Sequence, residues 1–247
     1  MFLLCHLFSG RMLGTASRTG RWTGAAVAAA TAGAILPDLI DKPLGYLILD
    51  GNLHQGRIFC HTLAVALLVL AAAILAGRRT AGSLPPVLAG GFLLHQLLDQ
   101  MWQTPVHWLF PLLGPFPMAV PIDFFRWSLA AELASLSEWA FLLPVAAVTL
   151  TLFHPLAPGT AGPLLRSAGR RTAPFMVPLL LALAVAGLLA GLSLLPFSLM
   201  EGPTPARDGI IALVALAGAA ILAVRGDAMV AEGGGAGEGD RVRTGGE

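Results

Sequence analysis

The chain has 247 residues, 56% of them hydrophobic and only 12% charged, with a formal net charge of +1. Soluble domains carry about 25% charged residues, so half that share, with a mean hydropathy of +0.76, excludes an ordinary water-soluble domain. The near-zero net charge excludes a general electrostatic attraction to nucleic acid.

In chain order, the opening MFLLCHLFSG lacks a positive n-region and meets Arg11 at once, so it does not read as a cleavable signal. Six apolar segments follow: Gly24–Ile40, which is short and Ala-rich, Ile58–Gly77, Leu84–Met101, Glu138–Ala157, Pro174–Met200 and Gly209–Val224. Runs of this kind are long enough for a hydrocarbon core of about 30 Å, and backbone groups in lipid must pair within the segment, so each is expected to be helical. The stretch TPVHWLFPLLGPFPMAVPIDFFRW is too rich in proline for a long helix and reads as an interfacial or re-entrant loop. From Gly226 onward the Gly/Glu-rich sequence reads as a disordered tail. The expected fold is all-α, a polytopic transmembrane bundle of about six spanning or partly spanning helices. Residues 1–125 form its polar half, 126–225 supply additional helices, and 226–247 are tail.

With both termini inside, eleven basic residues fall on the inner side (Arg11, Arg18, Arg21, Arg78, Arg79, Arg166, Arg170, Arg171, Arg225, Arg241, Arg243). Four fall outside (Lys42, Arg57, Arg126, Arg207). That asymmetry fits the positive-inside rule and puts the Pro37–Arg57 and Trp102–Ser137 loops on the outer face. Trp102, Trp108, Trp127 and Trp139 read as an aromatic belt, and Glu132 and Glu138 as solvated residues flanking a span. Cys5 and Cys60 show no metal-type spacing.

An ionisable side chain in a spanning segment costs roughly 2.5–3.5 kcal/mol on insertion scales, so each one needs a reason. Three groups concentrate them: Asp38 and Asp41 at the end of the first span, Arg57 and His61 at the start of the second, and His95 with Asp99 in the third, followed by His107. His95 and Asp99 are four apart, hence on one helical face, with imidazole and carboxylate close enough to share a cation. The plain alternatives are a hydrogen-bonded pair that only joins helices, a helix-end role for Asp38, an Asp41–Lys42 ion pair, and a surface-loop role for His107.

These motifs, in this order, resemble those of the YdjM-like family of membrane-bound metal-dependent hydrolases. The family shows an N-terminal His, a Leu-Pro-Asp-x-x-Asp stretch, an Arg…His-Ser/Thr motif and a His-x-x-x-Asp helix. The matching residues here are His6, Asp38 with Asp41, Arg57 with His61 and Thr62, and His95 with Asp99, all within about the first 120 residues. Two positions depart from the pattern: Gly56 stands where many members have His, and Lys42 replaces a His that often follows the second Asp. His54, two residues early, is not carried over. The departures imply a reduced or altered site.

A more distant likeness to bacterial zinc-dependent phospholipases C implies that His6, Asp38, His61, His95, Asp99 and His107 surround two or three metals. Together the resemblances imply an enzyme of the cytoplasmic (inner) membrane that holds a divalent metal, zinc in the first place. Its substrate would be a lipid or phosphoester, with Arg57 holding an anionic group and Asp41 beside it among the catalytic residues. Two other classes fit the same residues: a transporter with a cation relay, and an assembly factor whose polar groups only specify packing. If Gly24–Ile40 crosses fully, His6 starts on the opposite face from Asp38 and joins the site only if the N-terminal segment enters the bundle.

Overall fold

The computed structural model describes residues 3–17, 23–49, 53, 55–80, 83–117, 126, 130–131, 133–153, 161–195 and 205–231. Among them there is no strand. Eight α-helices follow in order: α1 (Leu3–Ala16), α2 (Thr23–Pro43), α3 (Leu63–Thr80), α4 (Leu84–Leu98), the single turn α5 (Pro105–Trp108), α6 (Leu136–Phe153), α7 (Ala161–Gly191) and α8 (Pro205–Ala231). A π-helical turn, Leu44–Ile48, prolongs α2, and a 3₁₀ turn, Met101–Gln103, follows α4.

Each of the six expected segments contains a long helix. Length and composition alone qualify two helices as crossings, Gly24–Ile48 and Pro174–Gly191; Leu84–Leu98, Leu136–Ala146 and Asp208–Ala223 are apolar but shorter. Two helices extend well beyond the expected bounds. α7 begins 13 residues before Pro174, because Arg166, Arg170 and Arg171 occupy a polar first half of the same helix. α8 continues to Ala231, into the expected tail, whose remainder lies outside the described residues.

The main departure is α1, a helix where the sequence showed no span. Its Gly10 lies against Thr31 and Ala34 of α2, and Gly14 lies against Val27. A Cβ at either position would overlap α2, so the missing side chains let the two backbones approach closely. That register makes α1 and α2 antiparallel, with the start of α1 beside the end of α2. The same kind of contact joins α2 and α4: a Cβ on Gly33 would meet the Leu88 carbonyl, and one on Gly91 the Ala30 carbonyl. Here the helices run in the same direction. α3 packs along α4, and one end of this bundle gathers the start of α1, the end of α2, the start of α3 and the end of α4.

The outer face of α1 belongs to a second, apolar core. Cys5, Phe8 and Met12, spaced along one helical face, pack with Phe141 of α6, Leu180 and Leu183 of α7, and Ile211 and Ala215 of α8. Glu138, expected to be solvated, is 3% exposed. Its carboxylate accepts the amides of Leu4 (2.7 Å) and Cys5 (3.3 Å). Those amides are among the four that a helix start leaves unpaired, and an anion suits that end of the dipole. Glu132 lies outside the described residues.

Candidate metal centre

The polar residues meet where the four helix ends converge. Asp41, in the last turn of α2 and fully buried, organises the turn that carries the second motif. One of its oxygens accepts the amides of Ile58 (3.0 Å) and His61 (3.1 Å), the other the amide of Cys60 (3.0 Å). Thr62 then starts α3 in the usual manner of a cap, its hydroxyl accepting the Val65 amide at 3.2 Å. Gln96 ties this turn to α4, its amide donating to the carbonyls of Cys60 (3.1 Å) and Thr62 (3.2 Å). Trp108 Nε1 donates to the oxygen of the same Gln96 at 2.8 Å.

Both central imidazoles have their tautomers fixed by what their Nδ1 atoms meet. His61 Nδ1 donates to Asp41 Oδ2 at 2.7 Å. His95 Nδ1 lies 2.7 Å from the Ala34 carbonyl, which can only accept, so it too carries the hydrogen. That leaves the two Nε2 atoms facing each other at 3.1 Å, beside Asp38 and Asp99. Two lone pairs cannot approach so closely, so a positive charge, either a proton carried by one ring or a bound cation, is shared between them. Asp38 Oδ1 is 3.5 Å from His61 Nε2 and 3.9 Å from His95 Nε2, and Asp99 Oδ2 is 3.8 Å from His61 Nε2. One donor atom from each of Asp38, His61, His95 and Asp99 lies within 4.8 Å of the others.

This set fits a divalent ion. Bonds of about 2.0–2.1 Å in tetrahedral geometry put neighbouring donors about 3.3 Å apart; four of the six donor pairs here lie 3.1 to 3.9 Å apart and all lie within 4.8 Å. Two neutral imidazoles and two carboxylates match the ligand preferences of zinc and similar ions. Asp41 behind His61 completes the carboxylate–imidazole arrangement that orients a ligating ring.

Around the four, each remaining candidate has a definite place. His6 is buried at the start of α1, its Nε2 3.5 Å from Asp99 Oδ1 and its ring centroid 4.4 Å from that of His95. The antiparallel packing of α1 removes the difficulty of opposite faces, yet His6 stays outside the four-donor group. Arg57 Nη2 holds Asp99 Oδ2 at 2.8 Å with a third of its side chain exposed. Lys42 pairs with Asp38 at 2.5 Å, one helical turn back, and not with Asp41.

Asp41 and His107 also stand outside the four-donor group. Asp41 has no free edge toward a substrate, because its oxygens are taken by three amides and His61; it positions the site from behind. His107 turns away from the group. Its Nε2 donates to Gln55 Oε1 at 2.7 Å, while Gln55 Nε2 donates to the Pro117 carbonyl at 2.9 Å. Burial first, then the positive charge of Arg57, holds the His107 imidazolium below its ordinary range, so the ring is neutral at pH 7. Gln96 was missed by sequence reasoning; the signal available was a second polar residue beside His95 in an apolar helix. Trp102 and Trp139 are half exposed, as an interfacial belt requires. His54 and Trp127 lie outside the described residues.

The family profile described as YdjM inner membrane protein matches residues 1–193. The chain belongs to the YdjM inner membrane protein family. It is accordingly an integral protein of the inner membrane, and the matched region takes in α1 to α6, the four-donor group and nearly all of α7. No curated protein and no solved structure is found to match it. Lys42 and Gly56, the two departures from the expected pattern, lie together beside Asp38, one of the four donors.

Proposed function

We propose that the chain is a membrane-embedded, metal-dependent hydrolase with about six helices crossing the bilayer, acting on a phosphoester or lipid-linked substrate. The observation that carries this reading is the pair of opposed imidazole nitrogens, 3.1 Å apart, with Asp38 and Asp99 closing a group of four potential metal donors. A divalent ion, zinc in the first place, would supply a Lewis acid and lower the pKa of a water toward about 7. Asp38, His61, His95 and Asp99 hold it; Asp41 and Ala34 keep the two rings in the ligating tautomer. Arg57, a third exposed while its guanidinium grips Asp99, has donors left for an anionic group arriving from the open side. His61 and His95 close the inner side completely, excluding water from behind. Placement of the group at helix ends favours a substrate whose reacting part sits near the bilayer surface.

The test is metal content by mass spectrometry on protein purified in detergent, with hydrolysis of generic phosphodiesters measured in parallel. His95→Ala and Asp99→Ala are each expected to abolish bound metal and turnover while the helical spectrum persists. Metal content equal to wild type in both variants would refute the hydrolase reading and leave the polar groups as packing residues.

A further inference from the structure

The likeness to multi-metal phospholipases implies two or three ions, but the charges around the four donors point elsewhere. We infer that the centre is built for one metal ion, with the Lys42 ammonium standing where a second cation would bind Asp38. This inference rests on the metal-centre reading above.

Two-metal hydrolytic sites place their ions about 3.5–4 Å apart, an arrangement served by carboxylates offering one oxygen to each ion. Three carboxylates are present, and none has a free oxygen on the open side. Asp41 is consumed by three amides and His61. Asp38 turns Oδ1 to the imidazoles and Oδ2 to Lys42 Nζ at 2.5 Å. Asp99 gives Oδ2 to Arg57, and its Oδ1 faces His6 on the buried side. Among the described residues, a second ion beside His6 would find His6 Nε2 and Asp99 Oδ1, where a hydrolytic ion takes three protein ligands.

Charge gives the same count. With the ligating imidazoles neutral, as metal binding requires, Asp38, Asp41 and Asp99 against Lys42 and Arg57 leave one negative charge for the metal to meet. One divalent ion brings the cluster to one positive charge, whereas two would bring it to three in a largely buried site. Isolated buried charge is expensive, so the single-ion state is the balanced one.

Lys42 is also held there by packing. It sits one turn after Asp38 on α2, and its stem runs past Gly56: a Cβ on Gly56 would lie 2.8 Å from Lys42 Cγ and 2.8 Å from Tyr46 Cε2. A side chain at position 56 would press the stem away from Asp38. Lys42 and Gly56, the two departures noted in the sequence, are thus neighbours, one supplying the ammonium and the other its room.

The experiment is zinc stoichiometry and affinity, by competition with a fluorescent chelator, on full-length protein in detergent, for wild type, Lys42→Met and Lys42→Arg. Wild type is expected to bind one zinc per chain. Lys42→Met removes a like charge beside the ion and is expected to bind zinc about tenfold more tightly, with Lys42→Arg close to wild type. Two ions per wild-type chain would overturn the inference while leaving the hydrolase reading standing. One ion with affinity unchanged or weakened in Lys42→Met would overturn the role of Lys42. Loss of binding to the same extent in both variants would do so too, since the charge-preserving change should retain it. No zinc in wild type would overturn both readings.

Discussion

At the end of the α1–α4 bundle the buried side chains include His6, Asp41, His61, His95 and Asp99. The core shared by α6, α7, α8 and the outer face of α1 is made of Phe8, Met12, Phe141, Leu180, Ile211 and small residues. Both are sealed, but by different means. In the apolar core any side chain of similar volume would serve, because dispersion and burial are non-directional. In the polar end each atom has a designated partner, and removing one strands the rest. α1 belongs to both. Cys5, Phe8 and Met12 face the apolar side, while His6, Gly10 and Gly14, four apart, form the stripe against the polar bundle. Chemistry and scaffold are thereby separable by mutation, and α1 is where they meet.

The largest expected effect tests the scaffold. Phe141 is fully buried, its ring 5.2 Å from that of Phe8. Phe141→Ala should destabilise the chain by about 3–5 kcal/mol, read by denaturant unfolding in detergent, while the folded fraction keeps its full metal complement. Loss of metal from still-folded protein would show that the two regions are not independent.

Asp41→Asn tests the opposite side. The amide keeps the shape but weakens the anchor of His61 Nδ1, and loss of such an orienting partner typically costs 10–100-fold in metal affinity. That drop should appear in a chelator competition, together with a lower unfolding midpoint of the metal-free chain, because the new NH2 faces a buried backbone amide that the carboxylate accepted. Wild-type affinity in this variant would mean that Asp41 serves the backbone turn alone.

The same contrast explains what could be read without coordinates. The all-helical character and the convergence of Asp38, His61, His95 and Asp99 were legible, because ionisable groups in apolar helices are costly and therefore informative. α1 was not. Its Ser9, Gly10, Arg11 and Gly14 lower its apolar character, and only the surface of α2 reveals Gly10 and Gly14 as contact points. Asp41 and His107 share residue types with metal ligands; what separates them from Asp38 and His95 is whether a backbone amide or Gln55 reaches them first, a fact of the tertiary fold. Lys42 follows Asp41 directly but lies one turn from Asp38, and helical geometry favoured the second partner.

Glu138 gives the smallest and most discriminating effect, because it crosses from one region to the other. It stands in the first turn of α6, yet its carboxylate caps the start of α1 two residues before His6. Glu138→Gln retains an oxygen acceptor and removes the charge, so the loss should match a helix-end charge, about 1 kcal/mol, or about 2–4 °C in melting temperature for a chain of this size. If the cap holds α1 only as scaffold, zinc affinity stays within about threefold of wild type, well short of the Asp41→Asn drop. A fall as large as that of Asp41→Asn would instead make the start of α1, and His6 with it, part of the metal centre's own support. The border between the two regions would then lie at α6 and no longer at α1.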